Sequence, residues 1–165
     1  MRGDLKTDLA EQLTGRTAWL GIGNPELGDD GFGVRLAEAL QAAGHPDVIL
    51  AGTTPEHWAA QLAEGRFKNV VLLDAVTTGA APGAVVFWDA GELKSRFPQV
   101  STHRVALGTL ARLMGAGGAR VWLLGVQPAT LQSGSGLSSA VRETLEVLQT
   151  WLLAGGATAT PGAAG

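Results

Sequence analysis

The 165-residue chain contains no cysteine, so disulfides, thiolate metal sites and a cysteine nucleophile are excluded at the outset. Any metal must be held by oxygen and imidazole. A basic excess is missing too: 12 Lys and Arg stand against 15 Asp and Glu, for a formal charge of -3. With no Lys/Arg cluster, no nucleic-acid partner is expected. No apolar run approaches the roughly 18 residues of a membrane span, and the N-terminus lacks the charged-then-apolar pattern of a signal peptide. The expectation is a soluble cytoplasmic protein with no membrane partner. The chain also lacks His-Glu-x-x-His, and Ser133-Gly134-Ser135-Gly136 does not fit the Gly-x-Ser-x-Gly elbow.

What is present is an apolar content of 45%, enough for one domain with a substantial core. The expected layout is a single α/β domain over residues 1–154, with 1–15 as an N-terminal helical extension. Residues 155–165, only Gly, Ala, Thr and Pro, read as a flexible tail.

The organising stretch runs from Trp19 to Gly33. It places five glycines, a proline and the adjacent carboxylates Asp29 and Asp30 between an apolar run and an amphipathic run, which reads as strand, tight loop, helix start. Gly21 and Gly23 suit close backbone approach, and Gly28 and Gly31 suit turn angles that other residues resist. The spacing of Leu5, Leu9 and Leu13 predicts a short amphipathic helix before it.

Beyond the loop, Phe32, Leu36, Leu40 and Ala43 mark a helix ending near Gly44. Val48 to Ala51 is a strand, and Thr54-Pro55-Glu56 begins a helix with Thr54 as cap and Trp58 and Leu62 inward. Val70 to Leu73 is the most continuously hydrophobic strand, as expected where both faces of a sheet are covered. It ends at Asp74. Gly83 to Trp88 is a further strand, Gly91 to Phe97 a helical turn, and Ala106, Leu107, Leu110, Leu113 and Met114 another helix. Val121 to Val126 is the last strand, Gln127 to Gly136 a polar loop, and Val141, Leu145, Leu148 and Leu152 the final helix. The five tryptophans are spread across these elements as packing residues rather than a stacking platform.

Strands alternating with helices predict a three-layer α/β sandwich: a twisted, mostly parallel sheet of about five strands with helices on both faces. The Val70 and Gly83 strands, with no helix between them, could pair as a hairpin. In such sheets the working crevice lies beyond the carboxyl ends of the strands. That edge receives Asp29, Asp30, Asp74 and His57, and His103 can return to it. His45 lies between a helix end and a strand start, on the opposite edge, and is set aside as a ligand.

Two carboxylates and an imidazole suit a divalent transition ion, and three protein ligands leave a coordination position open. The Gly21-Ile22-Gly23 start could suggest a dinucleotide fold, but Glu26 occupies the third glycine position and would press a carboxylate toward a pyrophosphate. No organic cofactor is expected. Each candidate also has a plain structural explanation: Asp29 and Asp30 can cap a helix, and His103 can sit at a helix start or on the surface. Since neighbours cannot both point the same way, one of the two aspartates can cap while the other binds. A lone Asp74 at the end of a buried strand is costly without a partner.

The motifs Gly21-Ile22-Gly23-Asn24, Asp29-Asp30-Gly31, the strand ending in Asp74, Ser101-Thr102-His103 and Leu124-Gly125-Val126-Gln127-Pro128 together resemble the hydrogenase maturation proteases. The match is spread in order over residues 17–152. The resemblance implies a five-stranded α/β fold and an endopeptidase that removes a C-terminal extension from the large-subunit precursor of a nickel-iron hydrogenase after nickel insertion. It places the family's metal-binding positions on Asp30, Asp74 and His103. Asp30 and Asp74 are also the catalytic candidates, with two routes open: the ion polarises the scissile carbonyl, or one of these carboxylates activates water. His57 matches no motif position and stays an outside candidate for a fourth ligand. The wording of the motifs is closer to the branch serving formate hydrogenlyase and related group 4 enzymes. Nickel then belongs to the substrate and acts as a recognition element. The competing reading is a non-catalytic metal- or anion-binding module of the same fold.

Overall fold

The structure, a computed structural model, describes residues 3–96 and 106–158. His103, Ser101, Thr102, Phe97 and the tail from 159 onward lie outside the described residues. The elements are α1 (Leu5–Gln12), β1 (Thr17–Ile22), α2 (Phe32–Ala42), β2 (Val48–Gly52), α3 (Ala59–Glu64), β3 (Asn69–Ala75), β4 (Val85–Asp89), α4 (Ala90–Arg96), α5 (Leu107–Met114), β5 (Arg120–Val126) and α6 (Ser139–Thr158). Single 3-10 turns at Gly28–Gly31 and Pro55–Trp58 precede α2 and α3.

The five strands form one sheet in the order β2-β1-β3-β5-β4. β2, β1, β3 and β5 run parallel, and β4 runs antiparallel on β5. The hairpin that the Val70 and Gly83 strands could have formed is not made, since β5 lies between them. β3 lies at the centre with β1 on one side and β5 on the other, and Val70, Val71, Leu72 and Leu73 are all buried. A strand apolar on both faces belongs at the middle of such a sheet; half-exposed β4 is suited to an edge.

Period-2 alternation along the strands feeds two cores. Ala18, Leu20, Ile22, Val70, Leu72 and Leu123 point to one face, under α3, α4 and α5. Trp19, Val71, Leu73, Leu124 and Val126 point to the other, under α1, α2 and α6. This is the three-layer sandwich. Two local expectations fail: Leu113 is exposed on α5, and Thr54 makes no side-chain cap, its hydroxyl instead donating to the Ala51 carbonyl at 3.5 Å. The turn at Pro55–Trp58 is 3-10 rather than α, which moves its amides away from the cap geometry. α6 runs to Thr158, past Ala154.

The seat of α2 on the sheet decides where the glycine loop goes. A Cβ on Gly33 would stand 2.0 Å from the Leu73 carbonyl oxygen and 2.4 Å from that of Ile22. One on Gly21 would meet the Ala37 Cβ at 2.6 Å and the Gly33 oxygen at 2.7 Å. Only two bare backbones can come that close.

Two predictions follow from this packing. Gly33→Ala puts a carbon against strand backbone that cannot swing aside, so urea unfolding should show a loss of about 3 kcal/mol or more, the upper end of overpacking costs; a loss below about 1 kcal/mol would contradict the close seat. The buried Trp122 donates its ring N–H to Asn69 Oδ1 at 3.1 Å, whereas buried Trp19 Nε1 has no hydrogen-bond partner. Trp122→Phe should therefore destabilise more than Trp19→Phe by about 1–3 kcal/mol, because only the first strands a buried acceptor.

Candidate functional site

The carboxyl ends of β1, β2, β3 and β5 open on one edge, since the register aligns Gly21 with Leu50 and Leu73, and Asp74 with Gly125. The loops at 23–31, 76–84 and 127–138 gather there. Of the four buried polar or charged residues described, Asp29, Asp30 and Asp74 are on this edge; Asn69 begins β3 at the other.

Asp74 is fully buried, and its Oδ1 accepts the Ala75 N–H at 2.9 Å. It stands one residue before the end of the central strand, still paired with Gly125 of β5 but past the last pairing with β1. The 3-10 turn Gly28–Gly31 packs against β3, carried there by the close seat of α2. The turn that carries Asp30 therefore lies against the strand that carries Asp74. Asp30 is 8% exposed, and one carboxylate oxygen accepts the Asn24 N–H at 2.8 Å. Asn24 braces the loop in turn, its Oδ1 accepting the Glu26 N–H at 3.0 Å and its carbonyl the Leu27 N–H at 3.0 Å.

Asp29 turns the other way. It is fully buried and does not cap α2, whose N-terminus has no side-chain cap. Its Oδ1 accepts the Ser138 N–H at 2.7 Å, and its Oδ2 accepts the N–H groups of Ala129 at 2.8 Å and Thr130 at 3.2 Å and the Ser138 hydroxyl at 2.9 Å. Ser138 precedes α6, and its Oγ accepts the Val141 N–H at 3.4 Å. Asp29 thus places a negative charge at the start of α6, where the helix dipole favours it. Backbone contact completes the junction, the Asp29 N–H donating to the Thr130 carbonyl at 2.8 Å and the Gly134 N–H to that of Glu26 at 2.9 Å.

Gly28, at φ +56, lies in the left-handed region, and a Cβ there would meet the Thr130 oxygen at 2.7 Å. Gly31 has an ordinary φ of -75, so its need is space rather than turn angle: a Cβ would lie 2.9 Å from Pro25 Cα.

The 76–84 loop is held by Gln127. Its Oε1 accepts from the Thr78 N–H at 2.7 Å, the Thr78 hydroxyl at 3.2 Å and the Gly79 N–H at 3.2 Å. Gln127 sits in a motif that the sequence singles out, but its role in bracing the 76–84 loop is invisible there. Ser138 carries one signal, a serine just ahead of an apolar helical stripe; its partner 109 residues away does not.

His57 is exposed in the 3-10 turn after β2. His45 is at the opposite edge, its ring edge-on to Trp19 with centroids 5.5 Å apart. His103 lies outside the described residues. Among the described residues no group of three or more His, Cys, Asp and Glu could hold a metal ion. Of the ligands expected from the sequence, the described residues include Asp30 and Asp74, both buried and carried by touching elements. Their hard oxygen donors fit a divalent ion as a partial donor set.

A family model described as hydrogenase maturation protease, HycI, matches residues 34–154. The hydrogenase 3 maturation protease of Escherichia coli K12 is 29% identical over 129 residues, covering 77% of this chain and 82% of that relative. The crystal structure of the maturation protease HycI from Thermococcus kodakarensis KOD1 aligns with a TM-score of 0.80 at 30% identity, over 90% of this chain and 97% of that one. The endopeptidase HybD of Escherichia coli aligns with a TM-score of 0.72 at 25% identity, over 88% and 94%. The five-stranded, mostly parallel sheet with helices on both faces agrees with these matches: the chain belongs to the hydrogenase maturation proteases and is a hydrogenase maturation endopeptidase.

Proposed function

We propose that the chain removes the C-terminal extension of a nickel-iron hydrogenase large-subunit precursor in the cytoplasm, with Asp30 and Asp74 as the acting acids and His103 as a third donor toward the substrate's nickel. The observation that carries the site is the meeting of the Asp30 turn with the Asp74 strand end, two buried carboxylates from touching elements. Buried acids brought together on a crevice edge are poised for proton transfer or for holding a cation. Membership of a protease family favours the enzyme over a non-catalytic binding module. No helix among the described residues is long and apolar enough to cross a membrane.

The roles follow from exposure and chemistry. Asp30, the less enclosed of the two, reaches the incoming peptide and takes a proton from the attacking water as general base. Asp74, deeper, completes the negative field that draws a cationic centre to the crevice. Nickel arrives with the substrate, and a donor set of two carboxylates and one imidazole, without thiolates, is too sparse and too hard to strip it from softer ligands. Metal then serves as a signal that the precursor is ready. The group 4 branch is the favoured source of the precursor, supported by the HycI family match and the motif wording.

Mass spectrometry of a nickel-loaded precursor mixed with the protein should show loss of the tail. Asp30→Asn, Asp74→Asn and His103→Ala should each slow it by about 10²-fold or more, the range of a lost acid-base group. Wild-type rates in all three would refute the assignment even with the activity intact. Precursor prepared without nickel should be cut at least about tenfold more slowly, within the range of one binding coupling; equal rates would remove nickel as the signal.

A further inference from the structure

The Asp29 carboxylate has no place in the chemistry above, yet four donors converge on it, every one from the 129–138 segment. We infer that Asp29 is a positioning residue for cleavage: it latches the 3-10 turn Gly28–Gly31 to the start of α6 and thereby sets the direction of Asp30. The inference rests on the reading of Asp30 as an acting acid.

The geometry separates this role from simple support of the fold. Asp29 and Asp30 are neighbours in one four-residue turn, so a small rotation of that turn swings the Asp30 side chain. α2 contributes no side-chain cap to hold the turn from its own side. The restraint comes from across the sheet instead. Both oxygens of Asp29 and its backbone N–H are bonded to the segment after β5, and the Leu27↔Ser133 bridge adds a second point of attachment. The Asp30 N–H is bonded to Leu27 at 3.1 Å and its carboxylate to Asn24 at 2.8 Å, so Asp30 is aimed by a loop that Asp29 pins at its far end. Gly28 permits the close approach that the latch needs, with room for no Cβ beside Thr130.

A buried carboxylate with four donors is a demanding way to join two loops. Its return is direction: charge-assisted bonds are short and angle-sensitive, and fixing both oxygens removes rotation about the side-chain axis. Since a misplacement of about 1 Å can cost about 10²-fold in rate, such a restraint has a catalytic consequence without touching substrate.

The test compares full-length Asp29→Asn, Ser138→Ala and Ser138→Thr with wild type, using the nickel-loaded precursor as substrate. Asp29→Asn should fold cooperatively and lose about 10- to 100-fold in kcat with KM little changed, the pattern of a lost transition-state contribution. Ser138→Ala should lose less, and Ser138→Thr, which keeps the hydroxyl, should recover the difference. Hydrogen exchange should quicken at the amides of Ala129, Thr130, Ser138 and Asp30 while those of Val70 to Leu73 keep their protection, since the opening is local. Wild-type kcat per folded molecule, or equal loss of protection in β3, would overturn the inference. Asp30→Asn is the control: if it is inactive while Asp29→Asn cuts normally, only this inference fails; if Asp30→Asn cuts normally, the acting-acid reading fails and this one with it.

Discussion

No side-chain carbon fits at position 33, and that exclusion sets the layout of the working edge. The first turn of α2 lies directly on the carbonyl oxygens of Ile22 and Leu73, with Gly21 beneath it. Helix and strand normally stand apart by the depth of their side chains; here two backbones touch. The loop leading into α2 is thereby drawn over the ends of β1 and β3, and the turn that carries Asp30 packs on the strand that carries Asp74. Even a methyl at this contact would lift the helix and carry the loop away from β3.

Polar groups then have to close the edge without leaving buried charge unanswered. Asp29 is answered by three amides and a hydroxyl, and Gln127 answers the amides of the 76–84 loop with a single oxygen. Neutral donors gathered on a carboxylate offset the cost of burying it, which is several kcal/mol per ion without them. The adjacent acids differ in their partners: Asp29 is bonded to the 129–138 segment, and Asp30 accepts the Asn24 N–H and keeps a small opening to solvent.

Much of this is legible in the sequence, for physical reasons. The apolar run ahead of the glycine loop reads as a strand, and it forms β1; the stretch around Val70 announces a strand covered on both faces, and it is central. The helix after the loop shows its buried stripe through Phe32, Leu36 and Leu40. The place of β4 is not legible, because strand order is decided by which neighbour buries more surface, and a missing helix between two strands suggests a hairpin without specifying one. Leu113 misleads because a leucine at helical spacing looks like core until the neighbouring layer is known.

The partition of Asp29 and Asp30 is half legible. Two adjacent carboxylates before a helix imply that they point apart, which they do, but the helix that benefits is α6 rather than α2, and a contact spanning 109 residues leaves no local pattern. The Gly21, Asp30 and Asp74 motifs reveal the family through their order along the chain, while the reason for that order, the approach of α2 to two strand ends, appears only in three dimensions.

The central claim is that Asp30 and Asp74 face one common point. Crystals soaked at high nickel concentration and measured at the nickel absorption edge test it most directly. The account predicts an anomalous peak within about 2.1 Å of an oxygen from each of the two carboxylates, the spacing of a coordinated divalent ion. A peak bound by other residues, or ordered Asp30 and Asp74 side chains with no shared peak between them, would contradict it.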